Sequence, residues 1–183
     1  TVTGAITRLT ARGAVDDQGR EHEVDTVVFA TGFTPTEPPI ASAITGRDGR
    51  TLAQAWKGSP RAYRGVEVHG FPNLFFLYGP NTNLGHSSIV LMLEPQAYYM
   101  SKALAELSRS GRSTFEVTEE ANAEFLDRML TLLDDSVFTL GNCANSRSYW
   151  FNSSGEAPLF RPTSIRQAVK EQDSFPLSHY EMA

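Results

Sequence analysis

Asp25-Thr26-Val27-Val28-Phe29-Ala30-Thr31-Gly32-Phe33 is the stretch on which the fold reading turns. A continuous apolar run from Val27 to Ala30, in place of strict alternation, predicts a strand covered on both faces, as in a parallel sheet flanked by helices. The run stops at Gly32. A residue without Cβ admits dihedrals that larger residues resist there, and small Ala30 and Gly32 let main chain approach a ligand closely. The plain alternative is an ordinary buried strand closed by a glycine turn.

Upstream, Val2 to Thr10 alternates apolar and polar, Asp16-Asp17-Gln18-Gly19 reads as a tight turn, and Glu23 to Ala30 returns, so a hairpin feeds the buried strand. Downstream, residues 34–65 hold four of the ten prolines, and only Leu52 to Trp56 resembles a short helix. A connection this long inside a compact domain is a candidate substrate-side or interface segment. From Val66 the pattern turns to strand again, and Asn73-Leu74-Phe75-Phe76-Leu77-Tyr78 predicts a second buried strand ending at Gly79-Pro80. Asn81 to Gly85 is a polar turn. Ser87 or Ser88 is the expected cap of the longest helix, through Leu107, with a kink at Pro95. Thr114 to Val117 reads as a short strand and Glu119 to Leu133 as an amphipathic helix whose first-turn glutamates suit its dipole. A strand around Ser146 to Asn152, a short helix over Ser164 to Val169 and an aromatic tail with Phe175, Pro176 and Tyr180 complete the reading. The fold class is α/β, a mixed sheet with flanking helices.

Composition narrows the function. The chain has 183 residues, 40% hydrophobic and 20% charged, which is ordinary globular usage, and no apolar run approaches a membrane span. With a net charge of -5 and sixteen scattered Lys and Arg, no nucleic-acid footprint exists. The single cysteine, Cys143, excludes an internal disulfide and a cysteine-built zinc site, and a cytoplasmic location is expected. Cys143 reads as small core filling, and no metal site is expected. His22, His69 and His179 are not spaced as ligands, His86 reads as a neutral histidine near a helix start, and Arg61 and Arg64 read as solvated.

The second constellation runs from Asn73 through Gly79-Pro80-Asn81-Thr82-Asn83-Leu84-Gly85-His86-Ser87-Ser88, with Glu94 and Gln96 on the following helix. Strand, glycine turn and helix start offer main-chain N–H groups and a positive dipole end to an electron-rich group.

Together, Ala30-Thr31-Gly32-Phe33, the Gly79-Pro80-Asn81 turn and Cys143-Ala144-Asn145-Ser146-Arg147-Ser148-Tyr149-Trp150 resemble the class B flavoprotein monooxygenases, of Baeyer–Villiger and flavin-containing type. The resemblance implies the C-terminal part of a flavoprotein with two dinucleotide-binding domains, FAD and NADP. Residues 1–33 would close the NADP-binding domain and return the chain, and 34–183 would form the C-terminal part of the FAD-binding domain with a substrate-side segment. The implied cofactors are FAD and NADPH, and the implied reaction inserts one oxygen atom from O2 into a ketone or oxidises a soft N or S heteroatom. Thr31, Gly32, Phe33, Gly79, Pro80, Asn81, Thr82, Asn83 and Leu84 would be the flavin-side contacts; no catalytic residue is assigned. No Gly-x-Gly-x-x-Gly follows a strand here, so the nucleotide motifs are expected upstream of Thr1, in a longer protein without which this piece is inactive. Expected partners are a small organic substrate, O2, those upstream regions and a second copy in a homodimer. The alternatives are an amine N-hydroxylase-like flavin enzyme and a non-catalytic α/β interaction module.

Overall fold

The computed structural model describes residues 3–137 and 150–183. The chain divides into two compact units, residues 1–33 and 34–183.

In the first unit, β1 (Ile6–Leu9), β2 (Gly13–Asp16) and β3 (Glu21–Glu23) form an antiparallel meander in the order β1-β2-β3. Gly13 is required by close approach, because a Cβ there would overlap the His22 carbonyl. The β2–β3 turn is built on Asp16. Its buried carboxylate accepts from the Gln18 and Arg20 N–H groups, both at 2.9 Å, from Arg20 Nε at 3.1 Å and from His22 Nε2 at 2.9 Å. His22 first, then the Arg20 N–H, hold this carboxyl far below the usual range. Asp16→Ala is therefore expected to release the turn, read as lost hydrogen-exchange protection at the Gln18 and Arg20 amides.

The anticipated buried strand over Glu23–Ala30 is not formed. Past β3 the backbone of residues 24–33 is irregular, with Val28 82%, Phe29 74% and Phe33 84% exposed. A central strand needs neighbours on both edges, and an apolar run does not supply them. Gly32 does occupy the left-handed region, at φ +72°.

In the second unit, α1 (Leu52–Trp56), α2 (Val90–Ser110), α3 (Glu119–Asp134) and α4 (Ile165–Asp173) carry most of the regular structure. β4 (Phe115–Val117) pairs antiparallel with β5 (Tyr180–Met182). Thr51 and Gln54 cap α1 reciprocally, as Ser164 and Gln167 cap α4, and Thr118 accepts the Ala121 N–H at α3. At α2 the expected serine cap is replaced by Ile89 without a side-chain cap, although Ser88 Oγ accepts the Val90 N–H at 3.2 Å. Pro95 lies inside α2 and leaves the Leu91 carbonyl without its helical donor.

The mixed sheet gives way to antiparallel strand pairs, the sole parallel pairing among the described residues being the isolated bridge Asn83–Phe160. Asn73–Tyr78 is not a strand: Asn73 at φ 61° and Tyr78 at φ 57° are left-handed, which breaks the ladder at both ends. The strand expected from Val66 reduces to one bridge between Tyr63 and Glu67. Of the stretch 146–152, residues 146–149 and Cys143 lie outside the described residues, while 150–152 are turn and loop.

The main core joins α2, α3, β4 and the C-terminal segment through Tyr63, Val66, Tyr99, Phe115, Phe125, Met129 and Tyr180. Phe115 stacks on Tyr180 at 4.6 Å and on Phe175 at 6.0 Å, so the aromatic tail packs as expected. Each such pair contributes about 0.5–1.5 kcal/mol beyond burial. A second core under α1 gathers Leu52, Trp56, Ala62, Val68 and Phe71.

Candidate functional site

Of the residues the sequence singles out, Gly79, Pro80, Thr82 and Asn83 line one cavity of about 350 Å³. Its opposite walls are apolar: Pro35 and Pro38 from the irregular connection, Leu52 and Trp56 from α1, and Phe76. Trp56 is held by its indole N–H, which donates to the Arg61 carbonyl at 2.8 Å, and its ring lies 5.8 Å from that of Phe76. The long proline-rich connection thus closes a pocket.

The turn itself is densely tied. Tyr78 N–H donates to Gln96 Oε1 at 2.9 Å, and the Tyr78 hydroxyl reaches Asn83 Oδ1 at 3.0 Å. A Cβ on Gly79 would stand 2.5 Å from the Gly65 carbonyl oxygen, so only glycine fits. Asn81, left-handed at φ 62° and buried, donates from both N–H and Nδ2 to the Pro158 carbonyl, at 3.1 and 2.9 Å. Asn83 N–H donates to the Leu159 carbonyl at 2.9 Å, and its own carbonyl accepts from Arg161 N–H at 2.8 Å. The turn offers its main-chain donors only in part, since residues 158–161 take those of Asn81 and Asn83. Among the described residues the Thr82 and Leu84 N–H groups, on two buried residues, meet no acceptor. Thr31, Gly32 and Phe33 belong to the other unit and are all exposed.

Sequence reasoning missed two groups. Arg64, expected to be solvated, is 7% exposed and donates from Nη1 to the Glu171 carbonyl at 2.5 Å and to that of Ser174. Glu67 is buried beneath it, with Oε2 accepting from the Tyr99 hydroxyl at 2.5 Å, and Tyr99 in turn bonds Tyr180. Burial, opposed by the Tyr99 bond and Arg64, pushes the Glu67 carboxyl up to about 7. The contributors lie 32 and 81 residues from Tyr99 along the chain, so no local signal reveals them.

A wider cleft of about 820 Å³ along α3 sets Arg50, Lys57 and Arg61 against Glu119, Asp127 and Glu156. Those charges balance and favour no ligand sign. Among the described residues no cluster of His, Cys, Asp or Glu could hold a metal ion, and no helix is long and apolar enough to cross a membrane.

No protein-family model matches the chain. It is 44% identical over 142 residues to a Baeyer–Villiger monooxygenase of Pseudomonas aeruginosa, covering 78% of this chain and 27% of that protein. It is 38% identical over 173 residues to the FAD-binding monooxygenase ktnD of Aspergillus niger, covering 92% and 28%. The crystal structure of cyclohexanone monooxygenase from Rhodococcus sp. Phi1 bound to NADP+ superposes with a TM-score of 0.76 at 27% identity, covering 97% of this chain and 34% of that one. The chain thus spans about a third, or less, of the length of these relatives. A mixed α/β chain that reproduces one part of those proteins nearly end to end, with the Gly79 turn at the wall of an apolar cavity, is a homologue of the Baeyer–Villiger monooxygenases.

Proposed function

We propose that this chain is part of an FAD- and NADPH-dependent monooxygenase that transfers one atom of O2 to a ketone or to a soft nitrogen or sulfur atom, and that the cavity at the Gly79 turn takes the flat ring of the flavin. The observation that carries the reading is the meeting of Gly79, Pro80, Thr82 and Asn83 with an apolar wall around about 350 Å³. That volume sits at the low end of small-molecule sites, roughly 300–1,000 Å³, and suits a ring system better than a whole dinucleotide.

The donor set fits the group. Thr82, which lines the cavity, keeps an N–H group that the segment 158–161 does not take, and a reduced flavin ring carries negative charge that such a donor stabilises. Bound flavin supplies the electron transfer and oxygen activation, and the chain's residues bind and orient the ring and keep water from it. Trp56, Phe76 and the proline wall serve that exclusion. The hydrogen bonds to residues 158–161 leave Asn81 and Asn83 as structural ties and Thr82 as the ligand donor, while Leu84 packs away from the cavity against Met92 and Ala168.

Residues 1–33 are assigned to the end of the NADP-binding domain and 34–183 to the C-terminal part of the FAD-binding domain. Thr31, Gly32 and Phe33 are assigned to the flavin side by the residue pattern. The exposed run Val27 to Ala30 then gains its sheet neighbours from the rest of the protein.

The complete protein, purified, should be yellow, with a flavin absorption band and ketone-stimulated NADPH oxidation. A colourless protein that neither retains nor rebinds FAD would end this reading.

A further inference from the structure

We propose that Gln96 is the positioning residue of this cavity, holding Tyr78 left-handed and thereby fixing Gly79 and Pro80 at the cavity wall. The inference rests on the flavin reading above and deepens it.

Gln96 is 0% exposed, on the inner face of α2 with Met92 and Tyr99. A buried side-chain amide is unfavourable unless both of its ends are bonded, and an aliphatic residue would fill the same volume without that demand. Both ends of Gln96 are bonded, and to different segments. Oε1 accepts the Tyr78 N–H at 2.9 Å, and Nε2 donates to the Gly65 carbonyl at 3.3 Å. The amide therefore joins helix, cavity turn and the 62–67 turn at one point.

Tyr78 is what needs holding. It sits at φ 57°, a conformation that a residue with a Cβ keeps only when its surroundings over-determine it. Its hydroxyl is fixed by Asn83, and its main chain is fixed by Gln96. The next residue, Gly79, is packed against the same Gly65 carbonyl that Gln96 bonds, so a relaxation of Tyr78 would move Gly79 and Pro80 out of register with the wall formed by Trp56 and Phe76. Gln96 touches no ligand in this arrangement. It acts through Tyr78.

Two variants separate this role from general core packing. Gln96→Met keeps the volume and removes both bonds; Gln96→Glu keeps the acceptor for Tyr78. In the chain itself, hydrogen exchange should find the Tyr78 amide protected, and exchange about tenfold faster in Gln96→Met. In the complete protein, Gln96→Met should raise the Kd for FAD about tenfold and shift the bound flavin's absorption, with Gln96→Glu within about threefold of the wild type. An unprotected Tyr78 amide in the wild type overturns the proposal, as does a folded Gln96→Met protein with flavin affinity within about twofold and an unchanged spectrum. If Gln96→Met does not fold, Gln96→Glu decides: a protected Tyr78 amide with a native flavin spectrum supports the role, and loss of both at an unchanged melting temperature overturns it. A wild-type complete protein that binds no flavin discards the flavin reading alone, because the exchange measurement still judges the hold on Tyr78.

Discussion

Gly65→Ala is expected to destabilise the 34–183 unit by about 2–5 kcal/mol. Two causes combine. Gly65 is left-handed at φ +73°, where a Cβ costs roughly 1–2 kcal/mol. The new Cβ would also overlap Thr82 Cγ2 and stand 3.1 Å from the Pro80 carbonyl oxygen and 3.2 Å from Gln96 Nε2. Thr82 is 0% exposed and cannot retreat into solvent, so overpacking adds about 1–3 kcal/mol. Gly111 provides the comparison: it is left-handed at φ +68° and a methyl group added there would meet nothing within 4 Å, so Gly111→Ala should show the backbone part alone, about 1–2 kcal/mol. Urea midpoints at constant m-value measure both. Adding Thr82→Ser to Gly65→Ala removes the Cγ2 and should recover part of the loss; a double variant no better than Gly65→Ala would show that the clash is not the cause.

The second large effect is a dependence of stability on pH through Glu67. An unfolded glutamate ionises near 4.5, and the folded one holds its proton to about 7. The contribution is therefore fully present below the lower value, declines as pH rises from about 4.5 to about 7, and is gone above it, a change of about 3 kcal/mol at most. The groups facing Glu67 act in known directions. Tyr99 bonds it and stays protonated, because burial pushes that phenol far up, and the Arg64 charge favours the ionised carboxylate without reversing the effect of burial. Tyr180 bonds Tyr99, while Tyr63 stands at the cluster's edge with its hydroxyl on His179 Nδ1 at 2.7 Å. Glu156 and Glu171, both shifted downward, contribute stability that is lost only at lower pH, outside this window. Denaturant unfolding from pH 4.5 to 7.5 should show stability falling in the wild type and level in Glu67→Gln; parallel profiles for the two proteins would remove Glu67 as the origin.

Local pattern determined much of this protein. Leu52–Trp56 is a helix because a Thr-x-x-Gln capping box precedes an apolar pair, and Glu119–Asp134 because an apolar face repeats behind a threonine cap and two glutamates. The turn at Asp16–Gly19 follows from a carboxylate that bonds its own succeeding amides. The Gly79 turn was legible as a tight turn, because Gly-Pro closes an apolar run, and the structure packs Gly79 where a Cβ would stand 2.5 Å from the Gly65 carbonyl oxygen. Helices and turns close their hydrogen bonds within a few residues, so sequence determines them.

Strands do not, and that is where tertiary structure decided. Val27–Ala30 and Asn73–Tyr78 are apolar enough for a buried sheet, yet neither is a strand in this chain, since a ladder exists only where a partner edge lies alongside. The same holds for the site. Which donors of Asn81 to Leu84 are taken was settled by residues 158–161, more than seventy positions away, and the burial of Arg64 and Glu67 by the C-terminal segment folding back over them. Sequence determined which residues could line a cavity; long-range contacts, whose energies depend on partners that no local window contains, decided which of them do.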